Sequence, residues 1–285
     1  MTDILTWVNG AWHEGNTPVA GPRSNGLWLA ATAFDGARAF DGVCPDLDRH
    51  AARLVESARL LGLTPVLTGP EIEELAWEGV RRFPPGTELY ISPMVFADGG
   101  FVVPDPDSTR FAMSLYRLPL PRPGDGFSAC LSSYRRPALD MAPTRAKASC
   151  LYPNVARVER EARERGFGTA VVRDANGAVA EFAHTNLFLV KAGVVYTPAI
   201  NGTFLNGITR RRVIQLLRED GYTVEETTLL PEDLATADEL FATGNYAKVM
   251  PCRQYEDRVF DGAPVADRAR RLYWHFARTG HGQPL

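Results

Sequence analysis

Three lysines stand among the 31 basic residues of this 285-residue chain: Lys147, Lys191 and Lys248. A lysine amine that condenses with a carbonyl must be available unprotonated, a state that partial burial and a neighbouring cation favour. Lys147 has such company in Met141-Ala-Pro-Thr-Arg-Ala-Lys-Ala-Ser-Cys150, with small neighbours and Arg145 two positions before it. Lys191 falls in the expected hairpin turn Lys191-Ala192-Gly193, where a solvated side chain is the rule. Lys248 follows a loop and enters an apolar stretch. A second chemistry is anion binding. Asn206-Gly207-Ile208-Thr209-Arg210 opens an expected helix, and a glycine followed by free N–H groups at a helix start is an anion cradle. The same string by itself is also an ordinary glycine turn with Thr209 near a cap, and Glu181 by itself is an exposed strand glutamate.

In order and spacing these pieces resemble the class IV, fold-type IV enzymes that use pyridoxal 5′-phosphate (PLP). That family includes branched-chain and D-amino-acid aminotransferases, (R)-amine transaminases and aminodeoxychorismate lyase. Pro143-Thr144-Arg145-Ala146-Lys147 resembles the family's lysine segment, and the resemblance implies that Lys147 carries PLP as a Schiff base. Tyr152, five residues on, matches the tyrosine at the cofactor's ring oxygen. Ala180-Glu-Phe-Ala-His-Thr-Asn-Leu-Phe188 resembles the E-x-x-x-x-N-L-F motif, which puts Glu181 beside the pyridine nitrogen. A carboxylate there favours the protonated ring that PLP needs to act as an electron sink. Gly207-Ile208-Thr209-Arg210 is similar to the phosphate motif G-[IV]-T-R, and Phe241-Ala-Thr243-Gly244-Asn245 to the last phosphate loop, where a threonine often occupies the place of Asn245. His50-Ala-Ala-Arg53-Leu54 resembles the helix whose arginine grips the phosphate, with Arg49 in place of the family's glutamate; Arg53 is then the charged, bidentate partner.

Phe34-Asp35-Gly36-Ala37-Arg38 matches F-[ED]-G-x-R, with Asp35 and Arg38 either a structural ion pair or part of the pocket. Leu29, Phe34, Arg38 and Ser92 are the substrate-pocket candidates. The branched-chain enzymes' carboxylate-binding tyrosine aligns with Leu29 and their arginine with Ser92, so a donor amine without a carboxylate, as in (R)-amine transaminases, is favoured. Arg38, Arg135 or Arg136 could restore a guanidinium. The implied reaction is ping-pong transfer of an amino group from an amine or amino acid to a 2-oxo acid. The alternatives are an L-branched-chain aminotransferase using 2-oxoglutarate, an aminodeoxychorismate lyase, or a non-catalytic relative. By analogy with the family the enzyme is a homodimer, with loop 97–108 reaching the partner's pocket.

The elements that must position these groups are legible in part. Residues 5–12 read as a strand and an Asn9-Gly10 turn. Leu47, Ala51, Leu54, Ala58 and Leu61 repeat at helical spacing over 46–61, with Asp46 or Asp48 to cap it and Gly62 to end it. A second helix is expected near 70–83, and strands at 88–96 and 109–116. Beyond these come strands at 128–134, 168–173, 178–182, 186–190, 194–197 and 238–243, with helices at 151–165, 207–220 and 264–278. The expected fold is a two-domain α/β chain of the D-amino-acid-aminotransferase kind. It has a small α+β domain (1–118), a linker (119–127) and a larger PLP-binding α/β domain (128–285) with a barrel-like mixed sheet.

Composition narrows the setting. A net charge of -3 and scattered basic residues give nucleic acid no patch, and no apolar run approaches a membrane span. Cys44, Cys130, Cys150 and Cys252 form no CxxC pair, which fits a reducing cytoplasm without disulfides or a metal site. Cys150 is expected to be a small buried hydrophobe.

Overall fold

The computed structural model describes residues 3–122 and 124–280. Pro123, within the expected linker, lies outside them. The chain divides into two compact units, neither of them one continuous stretch. The first comprises the described residues up to Leu120 together with Arg145–Cys150 and the residues from Ala277; the second comprises Pro121–Thr144 and Leu151–Phe276. The contiguous division expected from the sequence therefore differs at one important place, because the Lys147 segment packs with the smaller sheet.

The first unit is a six-stranded antiparallel sheet with two helices on one face. Its elements are β1 (Ile4–Val8), β2 (Ala11–Glu14), the single turn α1 (Asn25–Trp28), β3 (Thr32–Phe34), β4 (Ala37–Ala39), α2 (Leu47–Leu60), α3 (Gly69–Val80), β5 (Leu89–Ala97) and β6 (Thr109–Arg117). The strand order is β2-β1-β6-β5-β3, with β4 also on β5. Asn9 and Gly10 both take positive φ (53° and 83°), the mirror-image turn that matches strand twist, and Val8 pairs Ala11 across it. Helix α2 buries Leu47, Ala51, Leu54, Val55 and Ala58, the face its spacing predicts. Asp46 occupies its N-cap position in the left-handed region (φ 56°) and makes no side-chain cap bond, contrary to expectation. Helix α3 starts on an unanticipated capping box in which Thr68 and Glu71 satisfy each other's backbone N–H. Gly79 is required on it, because a Cβ there would lie 2.5 Å from the Trp12 ring.

The sheet's two faces differ. Leu5, Leu89, Ile91, Val95, Met113 and Leu115 point into the core beneath α2 and α3. The register puts Tyr90, Ser92 and Met94 on the opposite, half-buried face, opposite Tyr116, Ser114 and Ala112. Phe34 pairs Met94 and Arg38 pairs Tyr90, so both share this second face.

The second unit is built on a mixed nine-stranded sheet. Its elements are β7 (Phe127–Arg135), α4 (Tyr152–Glu164), β8 (Thr169–Arg173), β9 (Val179–Phe182), β10 (Asn186–Lys191), β11 (Val194–Pro198), α5 (Ile208–Glu219), β12 (Val224–Thr227), α6 (Pro231–Ala235), β13 (Glu239–Gly244), β14 (Lys248–Tyr255), β15 (Arg258–Val259) and α7 (Pro264–Thr279). The order is β12-β11-β10-β13-β14-β7-β8-β9, with β15 on β14. The pairs β11–β12, β7–β14 and β7–β8 are parallel. The sheet curls until β9 approaches β10 and β11, a half-barrel. Stacked Phe188 and Phe241 (centroids 4.8 Å apart) fill its middle, and Val158 and Ala162 of α4 cover Cys130, Ala170 and Val172. Among the described residues no helix is long and apolar enough to cross a membrane.

Candidate active site

In the first unit Lys147 is fixed by its backbone on both sides. Its N–H donates to Ser57 Oγ of α2 (3.0 Å), and its carbonyl accepts from the Phe34 N–H (3.1 Å). Ala148 bridges to Ala33 beside it. The side chain is half-buried, and its Nζ lies 4.6 Å from the centre of the Phe34 ring. An amine thus stands at the half-buried sheet face that carries Ser92 and Met94. The other two lysines differ. Lys191 is exposed and donates to Thr236 Oγ1, as a turn lysine should, whereas Lys248 is buried.

Asp35 has another partner than the one suggested by the sequence. Its carboxylate, fully buried, accepts from Arg53 Nε (2.7 Å), an Arg53 terminal nitrogen (2.8 Å) and the Gly36 N–H (2.7 Å), and meets His50 Nδ1 at 2.7 Å. Burial alone would raise its pKa, but the Arg53 guanidinium and His50 outweigh it and hold the carboxyl far below the usual carboxylate range. The Asp35–Arg38 pair is replaced by this triad because α2 brings Arg53 and His50 over the loop after β3. Arg38 is itself wholly buried, and its guanidinium donates to the main-chain carbonyls of Leu89 and Leu118. Leu29 ends α1 and is 42% exposed.

In the second unit Glu181 lies on β9, 6% exposed, and pairs with Arg136 Nε at 3.4 Å. Arg136 also donates to the Thr203 carbonyl, and Arg135 to that of Ala175. Arg135 and Arg136, like Arg38, therefore have other engagements, and sequence spacing gave no sign of the Arg136–Glu181 pair. Tyr152 opens α4 and is 36% exposed. Cys150, expected to be buried, is exposed where the chain turns into α4.

The Gly207–Thr209 turn is held by the motif upstream of it. The Asn186 amide donates to the Leu205 carbonyl (2.9 Å), and a Cβ on Gly207 would come within 2.1 Å of Asn186 Oδ1. A side chain at 207 would have to push the Asn186 amide aside. Gly207 caps α5 without a side-chain bond, so the first-turn N–H groups of Ile208, Thr209 and Arg210 remain available to an anion. Arg210 anchors the turn, donating to Asn206 Oδ1, Thr197 Oγ1, the Pro198 carbonyl and Glu226. Helix α5 packs on β13, whose end carries Thr243 and Gly244; Thr243 pairs Asn186 across the strands. Thr243 Oγ1 and Asn245 Nδ2 are buried and have no hydrogen-bond partner among the described residues. Interior polar groups seldom stay unpaired, so two such donors beside a capless helix start fit a phosphate group. Among the described residues no cluster of His, Cys, Asp or Glu could hold a metal.

Residues 32–255 match the family model described as Amino-transferase class IV. The chain is 32% identical over 286 residues to the branched-chain-amino-acid aminotransferase of Salmonella typhimurium, covering 94% of this chain and 91% of that protein. A PLP-bound aminotransferase from Brucella abortus superimposes with a TM-score of 0.95 at 50% identity, covering 97% of this chain and 99% of the other. The Escherichia coli branched-chain amino acid aminotransferase gives 0.92 at 28% identity, with 99% and 98% covered. The chain belongs to the class IV aminotransferases: it is a branched-chain-aminotransferase-like, PLP-dependent enzyme of fold-type IV.

Proposed function

We propose that this enzyme moves an amino group from an (R)-amine, its reactive carbon flanked by an apolar or aryl group, to a 2-oxo acid. One observation carries the reading: the sheet face beside the Lys147 amine offers Phe34, Met94 and the hydroxyls of Ser92 and Ser114, and among the described residues the arginines that the register places on this face already have protein acceptors. The register gives that face Arg38 and Arg110, and these engage main-chain carbonyls and Asp98 respectively. Replacing a fixed guanidinium by a hydroxyl weakens carboxylate binding by about 1.5–3 kcal/mol, roughly tenfold to a hundredfold. A second reading, transamination of L-branched-chain amino acids, is favoured by the name of the Salmonella relative and by the Tyr90 and Tyr116 hydroxyls on the same face.

PLP, when bound, supplies an aldehyde and an electron-withdrawing ring. Lys147 holds and returns the proton at the donor's reactive carbon. With PLP bound, Glu181 would supply the carboxylate for the ring nitrogen and Tyr152 a hydroxyl for the ring oxygen. In the second unit Gly207, Ile208, Thr209, Thr243, Gly244 and Asn245 would hold the phosphate; the family resemblance assigns Arg53 as its charged partner, a guanidinium that here makes its two bonds to Asp35. Self-association into a homodimer is supported by the exposed apolar tip Phe101–Val103, each residue more than 70% exposed. Mixing the PLP-loaded enzyme with one donor at a time tests the substrate. Conversion of the lysine-bound cofactor's absorbance to that of its amine form by (R)-1-phenylethylamine, but not by L-valine, is the expected result. Conversion by L-valine and L-glutamate alone refutes it in favour of the second reading.

A further inference from the structure

Lys248 has no task in the scheme above, yet its placement is costly. It is 1% exposed, and burying an ammonium requires compensation. It also begins β14 with φ at 61°, in the left-handed region, opposite Gly244. Non-glycine residues are held there when surrounding structure demands it, often at functional sites. The ammonium donates to Asn245 Oδ1 at 2.8 Å and lies 5.7 Å from the centre of the Tyr273 ring. That bond decides which way the Asn245 amide faces. Oδ1 is turned to Lys248, so Nδ2 is presented on the other side, where it is buried without a partner. The hydroxyl of Thr243, a side chain 1% exposed, is orphaned in the same turn.

We propose that Lys248 is a positioning residue for phosphate recognition: it locks the Asn245 amide with Oδ1 toward the lysine and Nδ2 on the opposite side, free to donate to the phosphate. The idea rests on reading this turn and the start of α5 as the phosphate cradle. It explains three otherwise separate facts, namely the strained backbone, the buried ammonium and the two orphaned donors. An amide free to flip would present its oxygen, an acceptor only, to the phosphate part of the time, and two acceptors cannot bond each other.

The test compares PLP with pyridoxal, which lacks the phosphate, by equilibrium titration of the full-length protein stripped of cofactor. Inorganic phosphate serves as a competitor. In K248M the affinity for PLP should fall about tenfold to a hundredfold, with inorganic phosphate weakened alongside, while pyridoxal stays within about twofold. Adding K248M to N245A should cost little beyond N245A alone if the lysine acts through the amide. Equal losses for PLP and pyridoxal, or no loss, would make Lys248 a packing residue and overturn the proposal. Should K248M fail to fold, N245D keeps the lysine paired and puts an oxygen where Nδ2 was. It should lose PLP affinity selectively, and unchanged PLP affinity in N245D overturns the proposal equally. A wild-type protein that binds pyridoxal as tightly as PLP would instead remove the phosphate reading of the turn itself.

Discussion

Replacing Asp35 with Asn probes the triad that organises the first unit. The wild-type carboxylate accepts four short contacts, two from Arg53, one from the Gly36 N–H and one at His50. An amide keeps the size but turns one acceptor into a donor facing the Arg53 fork. It also leaves a mostly buried guanidinium without its counter-charge. Removing one member of a buried pair costs about 3–5 kcal/mol, and at about 2–4 °C per kcal/mol the melting temperature of D35N should fall by roughly 6–20 °C. The pH dependence carries a sign. Asp35 has a folded-state pKa below its unfolded value of about 3.9, so its contribution is complete above that value and is lost as pH falls toward the folded-state pKa. The gap between wild type and D35N should therefore be constant from about pH 5 to 8 and narrow below about pH 4. Thermal melts followed by circular dichroism across that range give the answer. A gap smaller than about 2 °C at pH 7, or one that widens on acidification, would refute the assignment of the buried charge.

Three further outcomes follow from the geometry. G207A should displace the Asn186 amide, lower stability by about 1–3 kcal/mol and weaken PLP binding, as read by urea titration and cofactor titration; a silent G207A would mean the Asn186 contact is not needed. K147A should abolish transamination while leaving the fold intact by circular dichroism, and substantial residual turnover would remove Lys147 from its proposed role. R136M strips the buried Glu181 of its guanidinium and should destabilise by about 3–5 kcal/mol. If Glu181 faces the cofactor's ring cation, saturating PLP should rescue R136M more than wild type in a melting experiment, and equal stabilisation would count against that role.

The sequence shows best what is local. Helix α2, its glycine stop and the Asn9-Gly10 hairpin depend on residues within a few positions of one another, and each stands where spacing predicts. Helix α3 was expected to reach residue 83 but stops at Val80, ahead of Pro84-Pro85, since a residue before proline resists helical geometry. Strands β3 and β4, three residues each with no alternation, exist only because β5 pairs with both. Strand β14 escaped for another reason. Pro251 sits inside it, and proline normally argues against a central strand. At the site, the Gly207–Arg210 string was visible, but the reason for its glycine was not, because Asn186 lies 21 positions earlier. Likewise the partners of Asp35 and Glu181 are set by tertiary packing, and neither a two-residue spacing nor a motif could supply them.

The parallel pairing of β7 with β14 has a kinetic consequence. It joins Phe127 to Cys252 and Ala129 to Tyr255, so the middle of the second sheet closes only after more than 120 residues have been made. Closing a loop of that length costs about 4 kcal/mol of chain entropy before any contact repays it. The β10–β11 hairpin and the β13–β14 pair are close in sequence and need no such search. During synthesis β7 must therefore wait, with one edge unpaired, until β14 has left the ribosome, and this interval is when the nascent chain is most open to aggregation.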